Sequence, residues 1–422
     1  MNLGIETVPA ACDVLVIGAG PAGSAAAITL ARAGLDVVLV DQHAFPRDKV
    51  CGDGLIPDAH HALRRLGVFD EVMAQAQASG FVGCIGPRGG RVDVPGELAV
   101  LPRKQLDAIV CRAAVAAGAR MFAPLRFVAP IEAAGGVVGA QLQHGDATRE
   151  VRARWVLLAT GAVPQALMAA GMSDRHTPSG VALRGYVKND AMVGRISALE
   201  IVWHRALTPG YGWIFPCRDG VFNIGVGIAD SHNEPRDSKL KAGGLKKREV
   251  NLRQVMTDFQ KIYAPARELM QGGTPLGPMK GAPLRCTLAG ARYTRPGLLV
   301  VGEAAGSTYS FTGEGIGKAF ETGIHAAEAV LAGGTKVDAD ASVDASVRAD
   351  YEARLLALKP RFDLYQRANV VNRHPWLTDL LIWRANQSPR IVRRMSGVLN
   401  ETSNPGNLVS VKGIARLFLD RR

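Results

Sequence analysis

Apolar residues fall along this chain in two rhythms. Short apolar runs at 14–17, 35–40, 156–158 and 298–301 end close to glycine or a carboxylate. Such runs predict strands buried on both faces of a parallel sheet. Helical spacing over 24–32, 57–66, 101–117 and 316–332 predicts helices, the first without a breaker until Gly34 and the third ended by Gly118. Segments 124–131, 137–143 and 150–158 alternate like a strand meander, and 79–101, dense in Gly and Val, predicts short strands. From about residue 180 the rhythm becomes that of an antiparallel sheet, with strands expected at 181–188, 197–204, 211–217 and 221–228. Residues 230–249, with six Lys/Arg among Gly, Pro, Asn and Ser, predict a mobile loop, and a helix is expected over roughly 250–271. The remainder is expected to be mostly helical, punctuated by Pro360, Pro375, Pro389 and Pro405.

A chain of 422 residues exceeds one ordinary core. Its 47% hydrophobic and 21% charged content is that of a globular protein. No Lys or Arg precedes the first apolar run, so no signal peptide is expected. Neither is a spanning helix, since no stretch of about 18 apolar residues occurs. Six cysteines without a C-x-x-C pair predict reduced thiols in a cytoplasmic protein, and neither zinc nor disulfides. Charge changes the picture at one place. From Arg361 onward eleven Lys/Arg face four Asp/Glu, about +7 of the net +12. That tail is either a solvated helical surface or a patch for peripheral contact with an anionic membrane, with apolar Trp376, Leu377, Leu380, Leu381, Ile382 and Trp383 as the expected insertion surface, and no nucleic-acid partner is expected.

The chemistry is concentrated where strands meet glycine. Gly18-Ala19-Gly20-Pro21-Ala22-Gly23 follows the first strand and opens the first helix, and Asp41 closes the second strand eighteen residues after Gly23. Gly18 permits the tight turn, Gly20 the approach of a pyrophosphate, and Gly23 the close packing of helix on strand. Asp41 can accept a hydrogen bond from an adenosine ribose hydroxyl. Near residue 300 a strand runs into Gly302-Glu303 and then Thr312-Gly313-Glu314-Gly315-Ile316, a second element of this kind. There Glu303 suits ribityl hydroxyls, and Gly313 and Gly315 bring backbone N–H groups to an electron-rich ring edge. One ligand with both ends is FAD.

Four marks carry a family resemblance over residues 12–330: the glycine fingerprint, Lys49-Val50-Cys51-Gly52-Asp53-Gly54, Tyr211-Gly212-Trp213-Ile214-Phe215-Pro216, and the Gly302 and Thr312 elements. The chain resembles the geranylgeranyl reductase family, related to aromatic hydroxylases and flavin-dependent halogenases. The resemblance implies FAD contacts at Ala22, Asp41, Cys51, Gly52, Gly54, Arg103, Glu303, Gly315 and Ile316, with Arg103 on the pyrophosphate and Val128 near the adenine. Three departures stand out. Gly302-Glu303 replaces the family's Gly-Asp, and Thr160-Gly161 stands at the hydroxylases' Asp-Gly. Tyr211 and Phe215 replace two residues of the halogenase W-x-W-x-I-P.

The expected fold is α/β: a Rossmann-type FAD-binding domain of the glutathione-reductase-like class, an antiparallel-sheet substrate domain and a C-terminal helical extension. The FAD-binding segments are expected at 1–78, 102–180 and 285–335, the substrate segments at 79–101 and 181–284, and the extension at 336–422. The resemblance implies FAD-dependent reduction of carbon–carbon double bonds in an isoprenoid or similar lipophilic substrate, with NADPH or NADH as electron donor. The alternative is a monooxygenase or halogenase on the same scaffold. Catalytic candidates are Cys51, Tyr211 and Trp213. Cys51 equally suits a small residue in a tight turn, since no His or Asp flanks it to activate the thiol. Tyr211, Trp213 and Phe215 alternate, so they share one strand face and form either core or the wall of an apolar substrate pocket. His60, His61 and His176 lack metal-ligand company and are expected to be structural. Oligomeric state is left open.

Overall fold

The computed structural model describes residues 5–133, 135–174, 176–229, 251–333, 341–405 and 408. The loop expected at 230–249 lies outside them.

Two sheets organise the chain. The first has the order Thr294–Arg295, Leu298–Val300, Ala147–Leu158, Ala11–Ile17, Val37–Val40, Arg120–Phe122. All neighbours are parallel except at the Thr294–Arg295 edge. Arg126–Ala133 and Gly136–His144 pair with the growing Ala147–Leu158 strand as the expected meander. Val14, Val16 and Leu39 face a helical layer that includes Pro21–Arg32, Arg103–Ala116 and Ile316–Ala332, while Leu15, Ile17 and Val38 pack beneath the meander. Coverage on both faces is why these strands lack alternation.

The second sheet runs Thr274–Pro275, Gly180–Lys188, Val221–Ala229, Gly210–Pro216, Leu199–Val202, Gln77–Ile85, Arg91–Val100, Gly54–Leu55, with Lys280–Leu284 also on Gly180–Lys188. It is antiparallel except where Leu199–Val202 joins Gln77–Ile85. Residues 79–101 are therefore not short strands but most of one long hairpin. The outer face, with Ile214 and Ile224, is covered by Leu252–Ile262 and Ala264–Gly272. These replace the single helix expected at 250–271, because the chain turns extended at Tyr263 before Pro265 starts the second helix. The inner face, with Val82, Val94 and Leu199, meets C-terminal residues Leu381, Ile382, Ile391 and Val398.

Pro360 does not end a helix; it lies inside Ala341–Ala368. Proline deprives the carbonyl four residues earlier of its partner, and here both Pro360 and Leu356 are exposed, so water can serve that carbonyl. Pro375 and Pro389 do open helices, at Trp376–Ala385 and Pro389–Leu399.

Candidate active site

One cavity of about 820 Å³ runs from the fingerprint turn, between the two sheets, to the C-terminal helices. At its first end Gly18, at φ +106°, turns so tightly that a Cβ would lie 2.4 Å from the Ala159 carbonyl oxygen. A Cβ on Gly23 would meet the Gly18 oxygen at 1.8 Å, so Gly23 packs behind the wall and does not line the cavity. Asp41 accepts from the Ala19 N–H at 3.0 Å and the His43 N–H at 2.9 Å.

Gly20 is the N-cap of Pro21–Arg32, and no side chain caps that helix. Its Cβ position lies 3.6 and 3.7 Å from terminal nitrogens of Arg47 and Arg103. Both arginines share one carboxylate. Arg103 grips Asp107 bidentately at 2.6 and 2.7 Å, and Arg47 reaches it at 2.8 Å. Arg47 also lies 3.6 Å from Asp41. The two carboxylates hold both guanidiniums in place, with their terminal nitrogens beside an open helix N-terminus, a donor array that suits a pyrophosphate. Burial works against the Arg103 charge, but Asp107 more than offsets it and raises its pKa.

Further along, Glu303 pairs with Lys49 at 3.1 Å and lines the cavity; Gly302 does not, since its Cβ would press on Ala22 at 2.6 Å. Gly315 is the N-cap of Ile316–Ala332, again without a side-chain cap. Thr160 also lines the wall, and its buried hydroxyl finds no partner among the described residues. Two uncapped helix starts and an orphaned hydroxyl on one cavity fit a ligand that is anionic at one end and rich in acceptors at the other. FAD is such a ligand.

Tyr211, Trp213 and Phe215 line the middle of the cavity with Cys51, Gly52 and Gly54. Their strand alternates as expected: the opposite face carries Gly212, where a Cβ would meet Phe259 at 2.7 Å. Ring centroids stand 6.3 Å apart for Tyr211–Trp213 and 6.4 Å for Trp213–Phe215, and Trp203 extends the row at 5.9 Å from Tyr211. The Trp213 indole donates to Asn223 Oδ1 at 2.9 Å; Asn223 Nδ2 donates to the Cys51 carbonyl at 2.8 Å and to Asp53 Oδ2 at 2.7 Å. Tyr186 adds a 2.5 Å bond to the same Asp53 oxygen. Burial pushes the Asp53 carboxyl up to about 6, against the pull of Tyr186, Arg184 and Asn223. Burial also pushes the Cys51 thiol up, so the site offers no ready thiolate there. Val128 lines the same cavity beside Leu125 and Phe127.

Arg47, Asp107, Tyr186 and Asn223 escaped the sequence reading, and Asp53 entered it only as part of the Lys49–Gly54 mark, without a role. Only Asp107 left a signal, four residues after Arg103 and therefore on its helical face. The C-terminal wall also went unforeseen: Leu381, Ile382, Met395, Val398, Leu399 and Leu408 line the far end. His60 is fully buried, edge-on to Phe69, and burial lowers its pKa to about 4, as suits a structural residue. Among the described residues no metal-binding cluster occurs, and no helix is long and apolar enough to cross a membrane.

With this geometry in view, the family profile of the FAD binding domain matches residues 11–243. The chain is 35% identical over 335 residues to menaquinone reductase of Mycolicibacterium smegmatis, covering 76% of this chain and 77% of that protein. The chain belongs to the geranylgeranyl reductase family of FAD-binding proteins. Digeranylgeranylglycerophospholipid reductase 2 of Methanopyrus kandleri is 30% identical over 310 residues, covering 72% and 73% of the two chains. A geranylgeranyl bacteriochlorophyll reductase-like protein from Thermoplasma acidophilum superposes with a TM-score of 0.69 at 21% identity, over 97% of this chain and 96% of that one, a likeness of fold. Membership makes this an FAD-dependent oxidoreductase of α/β fold with mixed sheets and a C-terminal helical region.

Proposed function

We propose that the protein saturates carbon–carbon double bonds in the polyprenyl chain of a membrane lipid or quinone. The observation that carries this reading is the continuation of the cavity past the aromatic row into an apolar end lined by Val82, Leu199, Leu381, Ile382, Val398 and Leu399. An extended hydrocarbon suits that shape and chemistry. The two relatives act, by their names, on menaquinone and on a digeranylgeranyl lipid, molecules that share long isoprenoid chains.

FAD, once reduced, supplies hydride. The chain's own residues do the rest. Arg47, Arg103 and the start of the fingerprint helix hold the pyrophosphate, and Asp41 and Val128 receive the adenosine half. Glu303 meets the ribityl chain. Gly52, Gly54, Gly313, Gly315 and Ile316 border the ring, while the aromatic row excludes water and aligns the alkene. NADPH or NADH is the inferred electron donor. Support for the glutathione-reductase-like class comes from the parallel sheet with its meander. The interleaved domain division inferred from sequence is supported by the alternation of chain segments between the two sheets.

We also infer peripheral contact with anionic membranes. Trp376 and Trp383 are 59% and 49% exposed, with exposed Arg373, Arg390 and Arg393 on the same helical region. Leu377, Leu381 and Ile382, expected in the insertion surface, are buried and form core and cavity wall, so the two tryptophans carry the apolar contact.

The function is tested by anaerobic single turnover of the dithionite-reduced protein with menaquinone bearing an unsaturated side chain. Reoxidation of flavin with two hydrogens gained per reduced bond, by mass spectrometry, is the expected outcome. Reoxidation by O₂ but by no polyprenyl compound would overturn it.

A further inference from the structure

We propose that Glu314 is the catalytic acid that protonates the second carbon of the double bond. This rests on the reduction inferred above. Saturating an alkene needs hydride on one carbon and a proton on its neighbour. The hydride comes from reduced FAD, which is thereby oxidised. The π bond and the Glu314 O–H bond break, a C–H bond forms at each carbon, and Glu314 is left as a carboxylate that recovers its proton from water between turnovers.

The geometry narrows the choice of acid. The titratable side chains at the ring end of the cavity include Cys51, Asp53, Tyr211 and Glu314. Asp53 is fully enclosed, with Tyr186 and Asn223 donating to one oxygen and the Arg103 N–H approaching the other at 3.3 Å. Tyr211 spends its hydroxyl proton on the Thr312 carbonyl. The Cys51 thiol is a weakened acid. Glu314 alone sits in the cavity wall with its carboxyl held by a single hydrogen bond among the described residues, from the Thr312 hydroxyl at 3.0 Å. Its backbone is fixed as well: the Tyr309 N–H donates to the Glu314 carbonyl at 2.8 Å, and the Gly313 N–H to Tyr309 at 2.9 Å.

The surroundings keep this carboxyl protonated. Asp58 approaches from the helix Pro57–Leu66 and Glu401 from the C-terminal turn. Lys318 lies one turn further along the Ile316–Ala332 helix, and the neighbouring Tyr211, Tyr309 and Tyr365 are neutral phenols whose pKa values burial raises. Lys318 contacts Glu321 at 2.7 Å, Glu401 at 2.9 Å and Asp58 at 3.7 Å, so three carboxyl groups divide its one charge, and burial pushes the Asp58 carboxyl itself up to about 7. Burial first, then Asp58 and Glu401, push Glu314 up to about 8 against the pull of Thr312 and Lys318. A group titrating there carries its proton at neutral pH and releases it readily.

The test is the same anaerobic turnover with Glu314→Gln, which keeps the shape and the Thr312 contact but has no acidic proton. FAD content and reduction by dithionite should match wild type, while reoxidation by unsaturated menaquinone should slow by about 10²–10⁴-fold. The wild-type rate should fall above about pH 8; that break should vanish in Glu314→Gln. It should move to lower pH in Asp58→Asn, where one carboxylate raising Glu314 is gone. Independently of turnover, infrared spectra at neutral pH should contain a carboxylic-acid carbonyl band that Glu314→Gln removes. An active wild type with an equally active Glu314→Gln, or a break that Glu314→Gln keeps, overturns this inference alone. A wild type inert to every polyprenyl probe overturns the substrate reading and this inference with it.

Discussion

The Trp213 indole N–H and Asn223 Oδ1 lie 2.9 Å apart, and through this bond the aromatic wall and the loop carrying Cys51 become one unit. Asn223 sits on the adjacent strand and uses its amide nitrogen on the Cys51 carbonyl and Asp53. Trp213→Phe keeps the ring face but strands a buried acceptor, at a cost of about 1–3 kcal/mol. The variant should retain FAD, melt at a lower temperature, and lose at least several-fold in kcat/KM on a polyprenyl substrate. Unchanged kcat/KM would reduce the row to core packing.

Gly20→Val tests the phosphate end. A Cβ there meets no backbone, only the two arginine tips at 3.6 and 3.7 Å, so the chain should fold. The side chain would occupy the space of the pyrophosphate. A folded but colourless protein is expected on purification; a fully flavin-loaded one would refute the assignment.

Asp53 makes a prediction about pH. Its native pKa of about 6 lies above the ordinary 3.8, so the folded state holds the proton more tightly. The corresponding stability is present in full below about pH 4 and is lost as pH rises through 6, a change of roughly 3 kcal/mol. Asp53→Asn, which also tolerates the φ of 65° at this position, should flatten that part of the stability curve. Thermal melts of both proteins between pH 4 and 7 decide it; parallel curves would contradict the assignment.

Membrane contact is checked by vesicle co-sedimentation across a salt series. Binding should be strong with acidic lipids, weak with neutral ones, and reduced by salt, since each cation near the surface contributes about 1 kcal/mol. Trp376→Ala combined with Trp383→Ala should weaken it further. Equal failure to bind either vesicle at low salt would leave the tail as a solvated surface.

The cofactor half of the molecule was legible because its requirements are local. Gly18, Gly20 and Asp41 fall within thirty residues of one another, and strand, turn and helix are written consecutively. The aromatic row was legible for the same reason, since alternation alone puts Tyr211, Trp213 and Phe215 on one face. What remained hidden depends on contacts between distant segments. Nothing near Asn223 announces that it bridges Trp213 to Cys51, 172 positions away. Pro360 looks like a stop because its tolerance depends on which side of the helix meets water. Leu381 and Ile382 look like an insertion surface until the Gln77–Ile85 and Arg91–Val100 hairpin is known to cover them.

The far wall of the cavity has a consequence for the order in which the protein is made. Every strand and helix around the inferred cofactor end belongs to residues synthesised before Gly333, whereas Met395, Val398, Leu399 and Leu408 close the apolar end. The clasp that fixes them is equally late: Glu401 receives Tyr309 at 2.7 Å and Lys318 at 2.9 Å, with Arg361 on the same carboxylate. A nascent chain therefore completes the wall around the inferred cofactor end well before the apolar far wall. Until residues 395–408 are in place, a cofactor seated there would face water and oxygen where the folded chain sets apolar side chains.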